Sequence, residues 1–161
     1  MRLFRPMPRI SLAQRADAAA LADLYVRAWE AMRGRLDQRM IADQCPSVEE
    51  VDSWFRGGFE LYRAILDGQL VGAFRCSFPT GACLVDRLVV APEHRGRGFG
   101  KFLAEYAIAR AKRAGVGKVW LSASPKLKTA VNLFDGLGFR EAGTLPAPYW
   151  GERALLMEMS V

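Results

Sequence analysis

The residues of this chain best suited to holding an anion lie between His94 and Lys101, in the run HRGRGFGK. Gly96, Gly98 and Gly100 stand at alternate positions, with Arg95, Arg97 and Lys101 among them. Glycine adopts positive φ freely and lets the backbone come close to a ligand. Successive amide N–H groups ahead of a helix then make a concave anion site, to which the helix dipole adds. Arginine supplies planar, forked donors that match phosphate oxygens. The chemistry this combination suits is the grip of a diphosphate. Two familiar phosphate loops do not fit it. GxxxxGK[ST] needs a glycine where Arg95 stands and a hydroxyl where Phe102 stands. GxGxxG counted from Gly96 needs its last glycine at Lys101. A basic turn without a ligand is the plain alternative.

Such a loop works only at a strand-to-helix junction, and the flanking sequence supplies one. The apolar run 82–90 precedes it. After it, Phe99, Phe102, Leu103, Tyr106, Ala107 and Arg110 repeat at helical spacing until Gly115 and Gly117. Residues 119–123 form the next expected strand. Strand, crossover helix and strand make a right-handed βαβ unit, so 82–90 and 119–123 should run parallel. Upstream, Asp67-Gly68 between 60–66 and 69–77 is a strong hairpin signal, and 82–90 continues the meander after Pro79-Thr80-Gly81. The periodicity predicts a short strand at 10–15 and helices over 17–32, from 48 to 55 and over 127–137. Strands after Gly138-Phe139 and at 154–159 complete the chain. The fold class expected is α/β (α+β): a mixed, mostly antiparallel sheet with one parallel βαβ pair and helices on both faces. One domain over 1–161 is expected, with 1–8 a loose basic lead-in.

The chain has 161 residues, 51% hydrophobic and 25% charged, an ordinary globular balance. No apolar run approaches the ~20 residues of a membrane span. Cys45, Cys76 and Cys83 are too few and too scattered for a disulfide framework, which suggests a reducing, cytoplasmic setting. With one histidine and no CxxC pair, no metal is expected. The net charge of +6 suits an anionic partner. Nucleic acid is disfavoured, because no helix carries a basic stripe with exposed aromatics.

The run LVVAPEHRGRGFGKFL resembles the central motif of the GNAT family of acyl-CoA-dependent N-acyltransferases. Arg95, Gly98 and Gly100 match its [RQ]xxGx[GA] signature, and Val90 and Pro92 match the step before it. AVNLFDGLGFRE, from Ala130, is similar to the family's second motif, A-x-x-[LF]-Y-x-x-x-G-F. The resemblance is close over 69–139 and loose in element order beyond. It implies that acetyl-coenzyme A, as co-substrate, wedges between strands 82–90 and 119–123, which splay apart. The backbone of Leu88, Val89 and Val90 would pair with its pantetheine arm. Amides of Arg95, Gly96, Arg97, Gly98, Phe99, Gly100 and Lys101 would hold the pyrophosphate. Arg97 or Lys101 could meet the 3′-phosphate. Asn132 and Phe134 would flank the cofactor.

The implied reaction is direct attack of a primary amine, on a small molecule or a peptide, on the thioester. At pH 7 such an amine is overwhelmingly protonated, so a base must act. Asp86 is the candidate, two residues before Leu88 and hence on its strand face by simple alternation. An ion pair with Arg75 or Arg87 is its alternative role. Glu30 is a second candidate base. The Val90 N–H, at a strand bulge, would stabilise the oxyanion. The family's proton-donating tyrosine is replaced by Phe134, and its frequent asparagine by Leu127. Tyr149 is the first replacement donor and Ser124 the second. Trp29, Trp54, Tyr149 and Trp150 fall where the acceptor half of the site should lie. Phe134 also leaves open a binding module without turnover. Relatives are often dimers, but no interface is visible in the sequence.

Overall fold

The computed structural model describes residues 4–145 and 153–161. Seven strands make one sheet in the order β1-β2-β3-β4-β5-β7-β6. They are β1 (Arg9–Leu12), β2 (Glu60–Leu66), β3 (Gln69–Ser77), β4 (Ala82–Val90), β5 (Lys118–Ala123), β6 (Arg140–Leu145) and β7 (Ala154–Ser160). Only β4 and β5 pair in parallel. The helices are α1 (Ala18–Glu30), α2 (Gln38–Gln44), α3 (Val48–Arg56), α4 (Phe99–Ala114) and α5 (Lys128–Gly136). The mixed, mostly antiparallel sheet with one parallel pair is as expected. α2 is a helix the periodicity did not signal. It has only seven residues, buries Met40 and Ile41, and starts where the Asp37 carboxylate accepts from the Arg39 N–H.

Local chemistry explains the turns. Asp67 and Gly68 both have positive φ, 49° and 75°. A two-residue hairpin loop of that hand matches the strand twist. At α4, Gly98 and Gly115 bracket the helix, both left-handed.

The sheet separates two cores. On one face α4 and α5 place Phe99, Leu103, Ala107 and Phe134 against Val71, Phe74, Val85 and Val119. On the other, α1 and α3 place Leu21, Leu24, Tyr25, Val51 and Trp54 against Leu61, Ala73 and Val89. Gly72 on β3 allows α4 to come this close. A Cβ there would lie 2.8 Å from Leu103 Cδ1 and 3.1 Å from the Val89 carbonyl oxygen. Gly72→Ala is therefore expected to lose about 1–3 kcal/mol of stability by overpacking. Urea denaturation checks it, and an unchanged midpoint would show that Leu103 yields freely.

The central feature is where the sheet parts. β4 and β5 pair at only three positions, Ala82 with Lys118, Cys83 with Val119 and Leu84 with Trp120. Beyond Leu84, β4 stays with β3, while β5 stays with β7 through all six of its residues. Each strand keeps its outer partner, so the sheet opens between them.

Candidate active site

A bulge in β4 shapes one wall of the opening. Ala73 pairs with Val89 but Arg75 pairs with Asp86, so β4 carries one extra residue there. Arg87 takes φ 53°, a left-handed conformation uncommon outside glycine. Its surroundings hold it. The Tyr25 hydroxyl, fully buried under the sheet, donates to the Arg87 carbonyl at 2.8 Å. Burial raises the Tyr25 hydroxyl well above the ordinary tyrosine range, with the Asp86 charge adding to it. Tyr25 therefore stays protonated and remains a donor. The Arg87 guanidinium stacks 5.0 Å from the Trp54 ring centroid.

The bulge corrects two expectations. It lies at Arg87, not at Val90. It also breaks the alternation of side chains, so Asp86 does not share a face with Leu88. Leu88 and Val90 pack toward the α4 core, and Val89 toward the α1 core. Asp86 is bound to Arg75, whose guanidinium lies 4.7 Å from the Trp54 centroid and 4.1 Å from that of Phe59. Arg75 donates to both Asp86 oxygens, at 2.8 and 2.7 Å. The ion pair weighed for Asp86 is thus present, and Arg75 is its partner. Asp86 still lines the opening, with its side chain 31% exposed.

Past the bulge, regular pairing resumes. The Ala91 N–H bonds the Val71 carbonyl across β3. By alternation the Val90 N–H and C=O point away from β3, into the parted region. A cleft of about 310 Å³ opens there, lined by Leu88, Leu121, Ser122, Ala123, Ser124 and Phe134. Its other end is lined by Trp29, Met40, Asp43, Gln44, Arg75, Asp86 and Arg87. Leu127 and Ala130 of the α5 region close its side.

Beyond Val90, a single 3₁₀ turn (Pro92–His94) leads into the glycine loop. Gly96 and Gly98 have φ of 76° and 83°, and a Cβ on either would meet open space. Gly98 caps α4 with no side-chain acceptor, and the first intrahelical bond runs from the Phe102 N–H to the Gly98 carbonyl. The N–H groups of Phe99, Gly100 and Lys101 thus have no intrahelical acceptor, as in any first turn. Gly100 lies beside the C-terminal end of β4, where its Cβ would be 3.5 Å from Leu133 and 3.9 Å from Val90. A 16-residue helix therefore aims uncapped amides at the mouth of the parted strands. That arrangement fits a diphosphate with an extended arm reaching inward.

The charged side chains of the loop are placed less uniformly. Arg95 turns away from the loop and donates to the Ala28 carbonyl at 2.8 Å. It thus caps the C-terminal turn of α1, and burial pulls its guanidinium below the ordinary arginine range. Arg97 lies 3.3 Å from His94 Nδ1, and His94 stacks on Phe99. Lys101 extends into solvent 4.0 Å from Glu105.

This pattern matches a known family. The model of the acetyltransferase (GNAT) family matches residues 18–139, most of the chain. The chain belongs to the GNAT family. Streptothricin acetyltransferase from Streptomyces lavendulae is 32% identical over 100 residues, 58% of this chain and 53% of the relative. The ribosomal protein bS18-alanine N-acetyltransferase of Escherichia coli is 33% identical over 55 residues, 34% of this chain and 37% of the relative. This GNAT chain thus matches about half, or less, of the length of these curated relatives. Among solved structures, the PaiA N-acetyltransferase of Thermoplasma acidophilum in complex with coenzyme A superposes with a TM-score of 0.82 at 17% identity. The match covers 97% of this chain and all of that one. At that identity the likeness establishes the GNAT fold.

Of the residues singled out from the sequence, the cleft lining brings together Trp29, Asp86, Leu88, Ser124, Leu127 and Phe134, and includes neither Val90 nor residues 95–101. Asn132 is exposed on α5 and is not among the cleft-lining residues. Glu30 is tied to Arg33 by two hydrogen bonds of 2.8 Å. Tyr149 and Trp150 lie outside the described residues. Sequence reasoning missed the part played by Tyr25. Cys45, Cys76 and Cys83 are free thiols. Among the described residues no helix is long and apolar enough to cross a membrane, and no cluster suits a metal ion.

Proposed function

We propose that this protein is an acetyl-CoA-dependent N-acetyltransferase acting on a primary amine of a small molecule or peptide. One observation carries the reading: the uncapped α4 N-terminus stands at the mouth of the gap between β4 and β5. Acetyl-CoA supplies the thioester. Amides from Arg95 to Lys101 bind its pyrophosphate, the gap-facing backbone of Leu88 to Val90 aligns its arm, and Phe134 packs beside it. The Val90 N–H donates to the oxygen that gains charge as the amine attacks. Asp86, at the acceptor end of the cleft, orients the amine and accepts its proton directly or through water. Of the two serines that line the described cleft, the buried one, Ser124, protonates the departing thiolate, and Tyr149 is the alternative donor. Support for a small-molecule or peptide acceptor comes from the two curated relatives, which are named for one of each.

The test is thiol release from acetyl-CoA across a panel of amines, with amide formation followed by mass. Release above hydrolysis with at least one amine is expected. Tight coenzyme A binding without transfer to any acceptor would replace this reading with that of a binding module.

A further inference from the structure

The acceptor end of the cleft holds two groups that the mechanism above does not use. The first is Arg87. Its side chain is only 14% exposed, yet among the described residues no carboxylate lies within hydrogen-bond distance of it. Its Nη1 makes two long bonds to neutral acceptors, 3.3 Å to the Asp43 carbonyl and 3.2 Å to Gln44 Oε1. The Glu50 carboxylate stays 3.9 Å from Nη2. Arg75, the neighbouring cation, is matched by Asp86; Arg87 has no such match. A guanidinium withdrawn from water beside only a loose, 46% exposed counter-ion keeps donor capacity for a better-placed anion. The second group is the Trp29 indole. Its Nε1–H is buried without a hydrogen-bond partner among the described residues, in a side chain that lines the same cleft. A buried donor left unpaired is a rare and costly state.

Both groups are donors, and both lie at the α2 end, beside Met40. The bulge has a further consequence. With Arg87 in a left-handed conformation, the consecutive residues Asp86 and Arg87 both reach the cleft. A negative and a positive group therefore stand side by side.

We infer that the acceptor is an amine that also carries a carboxylate, held by the Arg87 fork and the Trp29 N–H while its ammonium group faces Asp86. An amino acid has this chemistry. A planar carboxylate matches the single fork that Arg87 offers, since Arg75 is taken up by Asp86, and Asp43 offsets Arg153 in the lining. The inference rests on the acetyltransferase reading and narrows it.

The experiment compares matched acceptors: glycine, β-alanine, γ-aminobutyrate and the common α-amino acids, each against its own carboxamide, with acetyl-CoA. The quantity read is the ratio of kcat/KM for acid over amide, from which any inactive fraction of enzyme cancels. The amide's less basic amine favours the amide chemically, so a preference for the acid reports recognition. At least one acid is expected to exceed its amide by about tenfold, mainly through KM. Arg87→Gln should bring that ratio close to one, with Arg87→Lys intermediate because it keeps charge but loses the fork. Trp29→Phe, which removes the N–H together with part of the ring, should lower it about threefold. If amides and simple amines are acetylated as well as acids, or if neither Arg87→Gln nor Trp29→Phe moves the ratio, the inference falls and acetyl transfer stands. If no amine in either series is acetylated while another amine of the wider panel is, the inference falls and acetyl transfer stands; if nothing in the wider panel is acetylated, both fall together.

Discussion

Lys101→Pro is expected to weaken coenzyme A binding about 100-fold, while Lys101→Ala weakens it only a few-fold. The two variants remove the same exposed side chain, whose nearest charged neighbour is Glu105 at 4.0 Å. They differ in the amide. Lys101 is the third helical residue after the Gly98 cap, and the first intrahelical bond comes from Phe102. Its N–H has no intrahelical partner to lose, so proline is tolerated there as it is elsewhere in first turns. Gly100 before it lacks the Cβ that would clash with the proline ring. The folded protein should therefore survive, with a melting temperature close to that of Lys101→Ala. What disappears is one donor to a charged oxygen, an interaction of about 1.5–3 kcal/mol. A ring carbon also takes the place of the proton. Titration calorimetry with coenzyme A reads the difference directly. Equal affinities for the two variants would mean that the phosphates lie elsewhere, and the reading of α4 as an anion site would fail with them.

How much of this was legible in the sequence depends on whether local chemistry or tertiary contact set each feature. The β2–β3 hairpin was legible because Asp67 and Gly68 are residue types that accept positive φ. The start of α4 was legible because Gly96 and Gly98 occupy positions that only glycine fills without strain. The N-terminal strand was misjudged at its end: 10–15 was expected, but β1 stops at Leu12 and residues 15–17 form a 3₁₀ turn. α2 was missed because seven residues with two buried apolar side chains make no periodic signal. The bulge was misplaced for a different reason. Arginine is a poor choice for a left-handed position, so nothing local marks Arg87. Its conformation is fixed by Tyr25, 62 residues away in sequence. That one contact decides which side chains of β4 face the cleft, so the rule of alternation failed at Asp86. The ion pair was half legible, since arginines near a strand carboxylate were visible but the choice of Arg75 follows from the shifted register.

Ser124→Ala is expected to lower kcat about 100-fold with little change in KM for acetyl-CoA, and Phe134→Tyr is expected to restore most of the loss in the double variant. In the second family motif, phenylalanine stands in place of a proton donor. Phe134 is buried to 9% exposure, meets Phe139 edge-on at 5.7 Å, and lines the cleft. A tyrosine there adds one hydroxyl to a side chain already in place. Ser124 ends the strand run of β5 and is buried at 7% exposure in the same cleft. Its Oγ accepts from the Lys126 N–H at 3.3 Å, which helps to orient the hydroxyl. Proton transfer by a placed acid contributes roughly 10²–10⁴ in rate. A thiolate is a tolerable leaving group, since its conjugate acid has a pKa of about 8.5, so the low end applies. Because both hydroxyls would serve one sulfur, their effects should not add. Phe134→Tyr alone should raise kcat only a few-fold, yet raise it much more once Ser124 is gone. Pre-steady-state thiol release separates this step from product release. If Ser124→Ala leaves kcat intact while a Tyr149→Phe variant lowers it about 100-fold, the donor is Tyr149 and Ser124 serves only to end its strand. If neither hydroxyl matters, the thiolate leaves unaided and takes its proton from water.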